Sequence, residues 1–457
     1  MPSSFVWDRD VSSGGFVYGE RYTLDPASQH IPLNDTQTAL RPPRPIVPTN
    51  FKTFLGLPSY RDGNRCGYTL FTALSRASHP ESLVLGVVDQ TRAGDVACVD
   101  AYCRLAAAHW PNDTTCRYRE AIRVDARDAA ASTGPIAARV RLHALIRDET
   151  FCLVTDAHMQ FVSHWDDALL ADWARTENEM AVLSVYPLGF ESIGPQLTPP
   201  VTQTRHICYF AHATLSTIPD FGAILLDNSS LPQLGAFIGA GFQFSKCHAQ
   251  TRVPLDARLR FVFLGEELLR SMQLWTHGYD IYSPSRQGHV VFHDESRRGN
   301  NGSFDDNGGD ARDRERDLSI NRMRQQLHLP VLGEADETDL ERYYPKDTAR
   351  SVDAYLAFAG ISTTDVAKDH WPCDQRHWVP YTHPERLQAF VPGYDMMRKP
   401  SVSMESDHEV SLRLVAGAAV AALAVVGGYV LWRRRQSVPY TRLAVKSDDE
   451  EATLDAI

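Results

Sequence analysis

From residue 52 onward, short apolar runs alternate with longer segments of mixed polarity. Thr53-Phe54-Leu55-Gly56-Leu57 is the first run and stops at Pro58-Ser59-Tyr60-Arg61-Asp62. Leu83-Val84-Leu85-Gly86-Val87-Val88 is the second, and Ala121-Ile122-Arg123-Val124 is a weaker third. Phe151-Cys152-Leu153-Val154-Thr155 is the fourth, and it ends abruptly at Asp156-Ala157-His158. Short apolar runs bounded by breakers read as strands buried on both faces. Between them, residues 69–77, 94–109 and 136–146 read as helices, the last entered through Gly134-Pro135. Strand and helix in alternation predict a parallel sheet covered on both faces. Ligands of such sheets bind beyond the carboxyl ends of the strands. Arg61, Asp62, Asp156 and His158 all fall at such ends.

Beyond residue 180 the texture changes. Further strands are expected at 181–186, 207–210 and 241–244, now without regular helices between them. Gly265-Glu266-Glu267 opens a helix reaching about Thr276, with two acids where the helix dipole favours negative charge. Residues 294–317 are rich in Asp, Arg, Gly and Asn and read as a disordered insertion, either a solvated insert or a lid. A helix near 318–328 and a mixed region, together 318–400, complete a catalytic-sized unit that begins at 50–293. Residues 1–49 are polar and turn-rich and read as a flexible arm.

Residues 414–432 carry no charge. As a helix they would be about 28 Å long, enough to cross a bilayer. Tyr429 and Trp432 sit at the interfacial level, and Arg433-Arg434-Arg435 follow. The Arg triplet predicts a cytosolic 433–457 tail and a lumenal catalytic part in the Golgi or endoplasmic reticulum. Sequons at Asn34, Asn112, Asn228 and Asn301, and a sorting-type Tyr440-Thr441-Arg442-Leu443, agree with that orientation. Residues 1–10 have neither the basic nor the apolar region of a signal peptide, so the alternative is a tail anchor facing the cytosol.

Composition narrows the function. Apolar content of 43% and charged content of 23% are those of a globular protein. A net charge of −11 argues against a general nucleic-acid binder. Of the eight cysteines, Cys152 lies in an apolar run and reads as a small core residue. Cys66, Cys98, Cys103, Cys116 and Cys373 are available for pairing in an oxidising lumen, in an order the sequence leaves open. His370-Trp371-Pro372-Cys373 with His377 lacks zinc-site spacing.

The chemistry gathers at Asp156-Ala157-His158. A carboxylate and an imidazole leaving one strand end form a site for Mn2+ or Mg2+ carrying phosphate oxygens. Two protein ligands are too few for structural zinc. A later His-bearing run, Gln287-Gly288-His289-Val290-Val291-Phe292, offers a third ligand, with His293 as its rival.

The ordered series Pro58-Ser59-Tyr60-Arg61-Asp62, Gly134-Pro135 with Arg139, Asp156-Ala157-His158-Met159, Trp165-Asp166, Tyr186-Pro187, Gly265-Glu266-Glu267, Leu274-Trp275-Thr276-His277-Gly278-Tyr279-Asp280 and Ser283-Pro284 resembles the polypeptide α-N-acetylglucosaminyltransferases. These include hydroxyproline and mucin-type transferases. The resemblance covers roughly residues 50–300. It implies a GT-A fold, a Rossmann-like and mostly parallel sheet with helices on both faces. It also implies UDP-GlcNAc as donor, a divalent metal (Mn2+ or Mg2+), and retaining transfer to a Ser/Thr or hydroxyproline hydroxyl of a protein. By residue, it implies Asp156, His158 and His289 as metal ligands. Glu266 and Glu267 match the acidic motif near the donor sugar. Arg139 and Asp62 match nucleotide-side contacts, and Arg61 joins them as a donor-site candidate. Trp275 is a donor-site candidate too, placed on the acceptor wall or in the core. The C-terminal span departs from the family pattern. The rival reading is a membrane-anchored, non-catalytic binding protein on a degenerate transferase scaffold.

Overall fold

The computed structural model describes residues 5–8, 21–25, 41–200, 202–212, 218–296, 302–343 and 347–394. Strands β1 (Phe5–Asp8) and β2 (Arg21–Leu24) form a separate antiparallel pair. The first half of the main body runs β3 (Thr53–Tyr60), α1 (Gly63–Arg76), β4 (Leu83–Thr91), α2 (Cys98–His109), β5 (Ile122–Asp128) and α3 (Pro135–His143). It continues through β6 (Phe151–Thr155), β7 (Met159–Phe161) and α4 (Trp165–Ala174). The second half adds β8 (Ala181–Ser184), β9 (Gln203–His212), β10 (Pro219–Asp227), β11 (Gln233–Gly235) and β12 (Phe242–Lys246). Then come α5 (His248–Thr251), α6 (Glu266–Thr276), β13 (Asp280–Ser283) and β14 (Val291–His293). Helices α7 (Ser303–Asp306), α8 (Asp310–Gln326), α9 (Leu340–Tyr343) and α10 (Val352–Ala359) close the described chain.

Eight strands form the central sheet in the order β11-β13-β8-β12-β6-β3-β4-β5. The β6-β3-β4-β5 half is parallel, as the alternation of strands and helices requires. β12 enters antiparallel between β6 and β8, while β13 is parallel to β8. The result is a mixed α/β architecture with a mostly parallel sheet. β4 shows why the apolar runs are continuous: its first eight residues are all buried.

All eight cysteines pair, as Cys66–Cys98, Cys103–Cys116, Cys152–Cys247 and Cys208–Cys373. Cys152 is therefore not the reduced core residue its apolar surroundings implied. β12 runs antiparallel to β6 with Lys246 opposite Phe151, so Cys247 arrives beside Cys152 through sheet pairing.

Composition also read residues 294–317 as a disordered insertion, and the described part of that segment corrects this from residue 302 onward. Those described from 302 onward hold α7 and most of the first part of α8. α8 buries polar side chains that meet partners. Arg322 Nε lies 2.6 Å from Asp256 with both side chains fully enclosed, and Gln326 Nε2 donates to the same carboxylate at 2.8 Å. Buried ions are tolerated where they are paired in this way. No helix among the described residues is long and apolar enough to cross a membrane, and residues 414–432 lie outside them.

Candidate functional site

The carboxyl ends of β3, β4 and β6 open into a cleft of about 830 Å3. Asp62, Gln90, Arg139, Asp156, Tyr186 and Glu267 are among the residues that line it.

His158 leaves the end of β6, and the chain turns at once into β7. β14 pairs antiparallel with β7, placing His293 opposite Met159. The two imidazoles meet with His158 Nε2 and His293 Nε2 3.0 Å apart. With Asp156 they form a cluster whose ligand atoms all lie within 4.8 Å of one another. Adjacent ligands of an octahedral ion at about 2.1 Å are themselves about 3 Å apart, so this donor set fits a small divalent cation. Its mix of two imidazoles and one carboxylate suits Mn2+ or a related intermediate-hardness ion. Burial pushes the His158 imidazole down to about 4 against the opposing pull of Asp156, keeping it neutral and able to ligate. Its Nδ1 lies 3.6 Å from Asp62 Oδ2, and Asp62 is itself gripped by Arg65 at 2.7 Å.

His289 does not join this cluster. It is buried, its Nε2 accepts from the Leu188 backbone N–H at 3.1 Å, and its Nδ1 meets Thr204 Oγ1 at 3.0 Å. Both ring nitrogens are engaged in holding the 187–190 segment and β9 against the base of β14. Positions 289 and 293 are four residues apart, roughly 13 Å when extended, so only one of the two histidines can reach His158. Strand register selects His293.

Asp156 is oriented from beneath. Arg139 Nη2 approaches its Oδ1 at 3.3 Å, while Arg139 Nη1 donates to both oxygens of Glu266 at 2.7 and 2.9 Å. Burial works against the Arg139 charge, but Glu266 and Asp156 more than offset it and hold the guanidinium protonated. Burial raises the Glu266 carboxyl above its usual range, with Arg139 opposing. On the other side, a Cβ at Gly241 would stand 2.7 Å from Asp156 Oδ2, so only glycine leaves that oxygen its place.

Glu267, one residue along α6, faces a different environment. Its Oε1 accepts from the Ala240 backbone N–H at 2.6 Å and its Oε2 from the Tyr186 hydroxyl. Burial pushes its carboxyl up to about 7 against these two hydrogen bonds. Both acids enter from the first turn of α6, whose preceding Gly265 has φ 91°, a left-handed conformation open to glycine.

Two other candidates lie elsewhere. Arg61 turns away from the cleft lining to bind Asp95 at 2.9 Å and Asp306 at 2.8 Å, anchoring α7. Trp275 is nine residues beyond Glu266 on α6, roughly 13 Å along the axis. It is buried against Phe358 at 5.5 Å between ring centroids, with the Arg350 guanidinium 4.4 Å over its face. Arg350 in turn pairs with buried Asp280 at 2.9 Å, so Trp275 is a core residue and not a donor contact. Conversely, Tyr186, Arg205 and Asp220 line the cleft without having been assigned a role. Tyr186 was visible as part of a Tyr-Pro pair at a strand end. Arg205 and Asp220 lie on the β9–β10 hairpin, which gave no sequence signal beyond a short strand.

Residues 52–365 match the model of a family described as Glycosyltransferase (GlcNAc). No curated protein matches the chain. Among solved structures, GalNAc-T7 with UDP, GalNAc and Mn2+ is similar at 13% identity and a TM-score of 0.43, covering 68% of this chain and 56% of that one. Residues 1–349 of S. aureus TarS match at 12% identity and a TM-score of 0.36, over 67% of this chain and 72% of that one. The mannosyltransferase PcManGT from Pyrobaculum calidifontis, with GDP-Man and Mn2+, matches at 12% identity and a TM-score of 0.36, covering 86% and 87%. The chain thus spans little more than half the length of the GalNAc-T7 structure.

Proposed function

The chain belongs to the glycosyltransferase (GlcNAc) family, and on that premise we propose a metal-dependent, retaining transferase of GT-A architecture that moves GlcNAc from UDP-GlcNAc to a Ser/Thr or hydroxyproline hydroxyl of a protein. The observation that carries this reading is the Asp156–His158–His293 cluster in the cleft at the strand ends. These three side chains would hold the divalent ion, which when bound offsets the negative charge gathering on the departing diphosphate.

The chain's own residues do the rest. Arg139 fixes the Asp156 carboxylate from below, and Gly241 keeps its other oxygen unobstructed. Asp62 and Tyr60, at the end of β3, line the cleft and would meet the nucleoside. Glu267, which also lines the cleft, would offer acceptor oxygens to a sugar hydroxyl. The acceptor hydroxyl attacks the anomeric carbon from the face that UDP leaves. The new bond forms to the acceptor oxygen, the sugar–phosphate bond breaks, and the leaving phosphate oxygen takes the acceptor proton. No protein nucleophile is required.

The full chain with UDP-GlcNAc and Mn2+ is expected to release UDP slowly even without an acceptor. EDTA should stop the release and added Mn2+ restore it. A folded protein that neither binds UDP nor hydrolyses any UDP-sugar overturns the transferase reading in favour of a binding protein.

The four disulfides support placing this domain in an oxidising lumen, since such bonds persist there and are rare in the cytosol. Asn112 and Asn228 are exposed and stand in sequons. Protein from eukaryotic cells should therefore shift in mobility on enzymatic deglycosylation, less so in Asn112→Gln and Asn228→Gln. Unglycosylated protein with free thiols would place the domain in the cytosol.

A further inference from the structure

We propose that Tyr186 is a positioning residue: with the Gly239-Ala240-Gly241 turn, it fixes the Glu267 carboxylate as a hydrogen-bond acceptor for a hydroxyl of the bound sugar. The proposal rests on the transferase reading above.

Tyr186 follows β8, Ala240 precedes β12, and Glu267 opens α6, so three separate parts of the chain converge on one carboxylate. Tyr186 donates to one oxygen and the Ala240 N–H to the other. An ionised carboxylate has about four lone-pair positions, so these two donors leave acceptor capacity on the cleft side, which Glu267 lines. Burial keeps the Tyr186 hydroxyl protonated and so a donor. Its ring lies directly on Gly239, where a Cβ would stand 2.8 Å from Tyr186 Cδ1. Ser184 Oγ clamps the turn by accepting from the Gly239 N–H at 2.8 Å and donating to the Phe242 carbonyl at 2.6 Å.

The same tripeptide reaches the metal-site carboxylate. The Gly241 carbonyl accepts from the Asp156 N–H at 3.3 Å and from Thr155 Oγ1 at 2.7 Å. Ala240 therefore sets Glu267, and its neighbour Gly241 sets Asp156. The turn fixes the spacing between the carboxylate that would receive a sugar hydroxyl and the one that would ligate the cation. Such preorganisation matters because small displacements of positioned groups are expensive in rate.

The charges facing Glu267 are Glu266 beside it, which raises its pKa, and Arg139, which lowers it. Asp220 and Tyr209 act on Tyr186 from the β9–β10 hairpin. Removing the Tyr186 hydroxyl withdraws a bond made to the ionised form. Glu267 then protonates at higher pH, and the acidic limb of the rate profile moves up with it.

The test compares wild type with Tyr186→Phe, which keeps the ring on Gly239. The readouts are UDP-GlcNAc hydrolysis with Mn2+ from pH 5 to 9, and direct titration of a carboxyl-13C glutamate label without nucleotide, the Glu267 signal being assigned by its loss in Glu267→Gln. The expected result is a fall in kcat on the order of tenfold at pH 7 with little change in KM. The Glu267 midpoint and the acidic limb should rise together by about one unit. An unmoved midpoint overturns the proposal, as does a moved midpoint with an unchanged rate profile, which would make the contact merely structural. A wild type without turnover defeats the transferase reading instead, and the titration alone then decides whether Tyr186 sets the carboxylate.

Discussion

His293→Ala is expected to lose metal-dependent turnover by roughly 10²–10³-fold, the range for removing one preorganised electrostatic group, while keeping its melting temperature. His289→Ala is expected to do the reverse. The two histidines lie four residues apart and differ in what surrounds them. The His293 side chain is 28% exposed, with His158 Nε2 at 3.0 Å from one ring nitrogen and the exposed Glu295 carboxylate at 3.6 Å from the other. Cutting it to Ala removes a ligand and leaves no enclosed orphan. His289 is 1% exposed, with the Leu188 N–H and Thr204 hydroxyl both bound to it. Its loss strands the buried Leu188 N–H, at about 1–3 kcal/mol, and leaves Thr204 Oγ1 only its longer bond to the Pro284 carbonyl at 3.4 Å. The bonds to His289 also hold the Leu188 carbonyl that receives the His293 N–H at 2.8 Å, so a modest drop in turnover should accompany the lower stability. Mn2+ titration of UDP release and thermal melts with the disulfides intact separate the two effects. Should His289→Ala lose metal affinity at an unchanged melting temperature, the assignment of the third ligand to His293 is wrong.

The same pair shows how far the sequence could be read. The strand–helix alternation over residues 53–155 was legible because β3, β4 and β6 are buried on both faces, while β5, the half-exposed edge strand, gave the weaker run. That sufficed to put Asp62, Asp156 and His158 at strand ends, where the cleft is. It could not choose between His289 and His293, because the choice depends on the β7–β14 register, a tertiary pairing between strands of three residues each. Cys152 failed for a similar reason, its partner standing 95 residues away across a sheet neighbour. The helix expected near 318–328 is the second half of α8, but its first half, from Asp310, was missed for another reason. The buried face of α8 is built from Asn321, Arg322 and Gln326, satisfied by Asp256 and by backbone carbonyls, and no hydrophobic period announces such a face. Trp275 was misplaced by proximity in sequence, because a helix that delivers Glu266 to the cleft carries a residue nine positions later well into the core. Tyr186 was legible as a residue and not as a role, since its partner Glu267 is fixed by a turn whose glycines matter through contacts the sequence does not display.

Arg139→Met should be the most destabilising change at the site. Arg139 and Glu266 are 6% and 5% exposed, and the guanidinium spans Glu266 and Asp156 together. Removing one partner of a buried pair costs about 3–5 kcal/mol because the other charge stays enclosed without compensation. Glu266 already has its pKa raised by burial, with Arg139 as the largest opposing influence. Without that influence the raised pKa climbs further. A carboxyl whose folded pKa exceeds its unfolded one holds its proton more tightly in the native state. Stability is then full below the unfolded value and falls as pH rises through the folded one. The Arg139→Met deficit, measured by urea unfolding, should therefore be larger at pH 8 than at pH 5. Glu266→Gln added to Arg139→Met should restore much of the stability, since the Glu266 charge left without its partner is gone too. Turnover should not return in the double variant, because Asp156 Oδ1 still lacks the guanidinium 3.3 Å away that orients it. A deficit that grows toward acid would show that the Arg139–Glu266 pair is not what holds this corner of the cleft. A double variant that recovers turnover along with stability would show that Asp156 is oriented by Gly241 and the end of β6 alone.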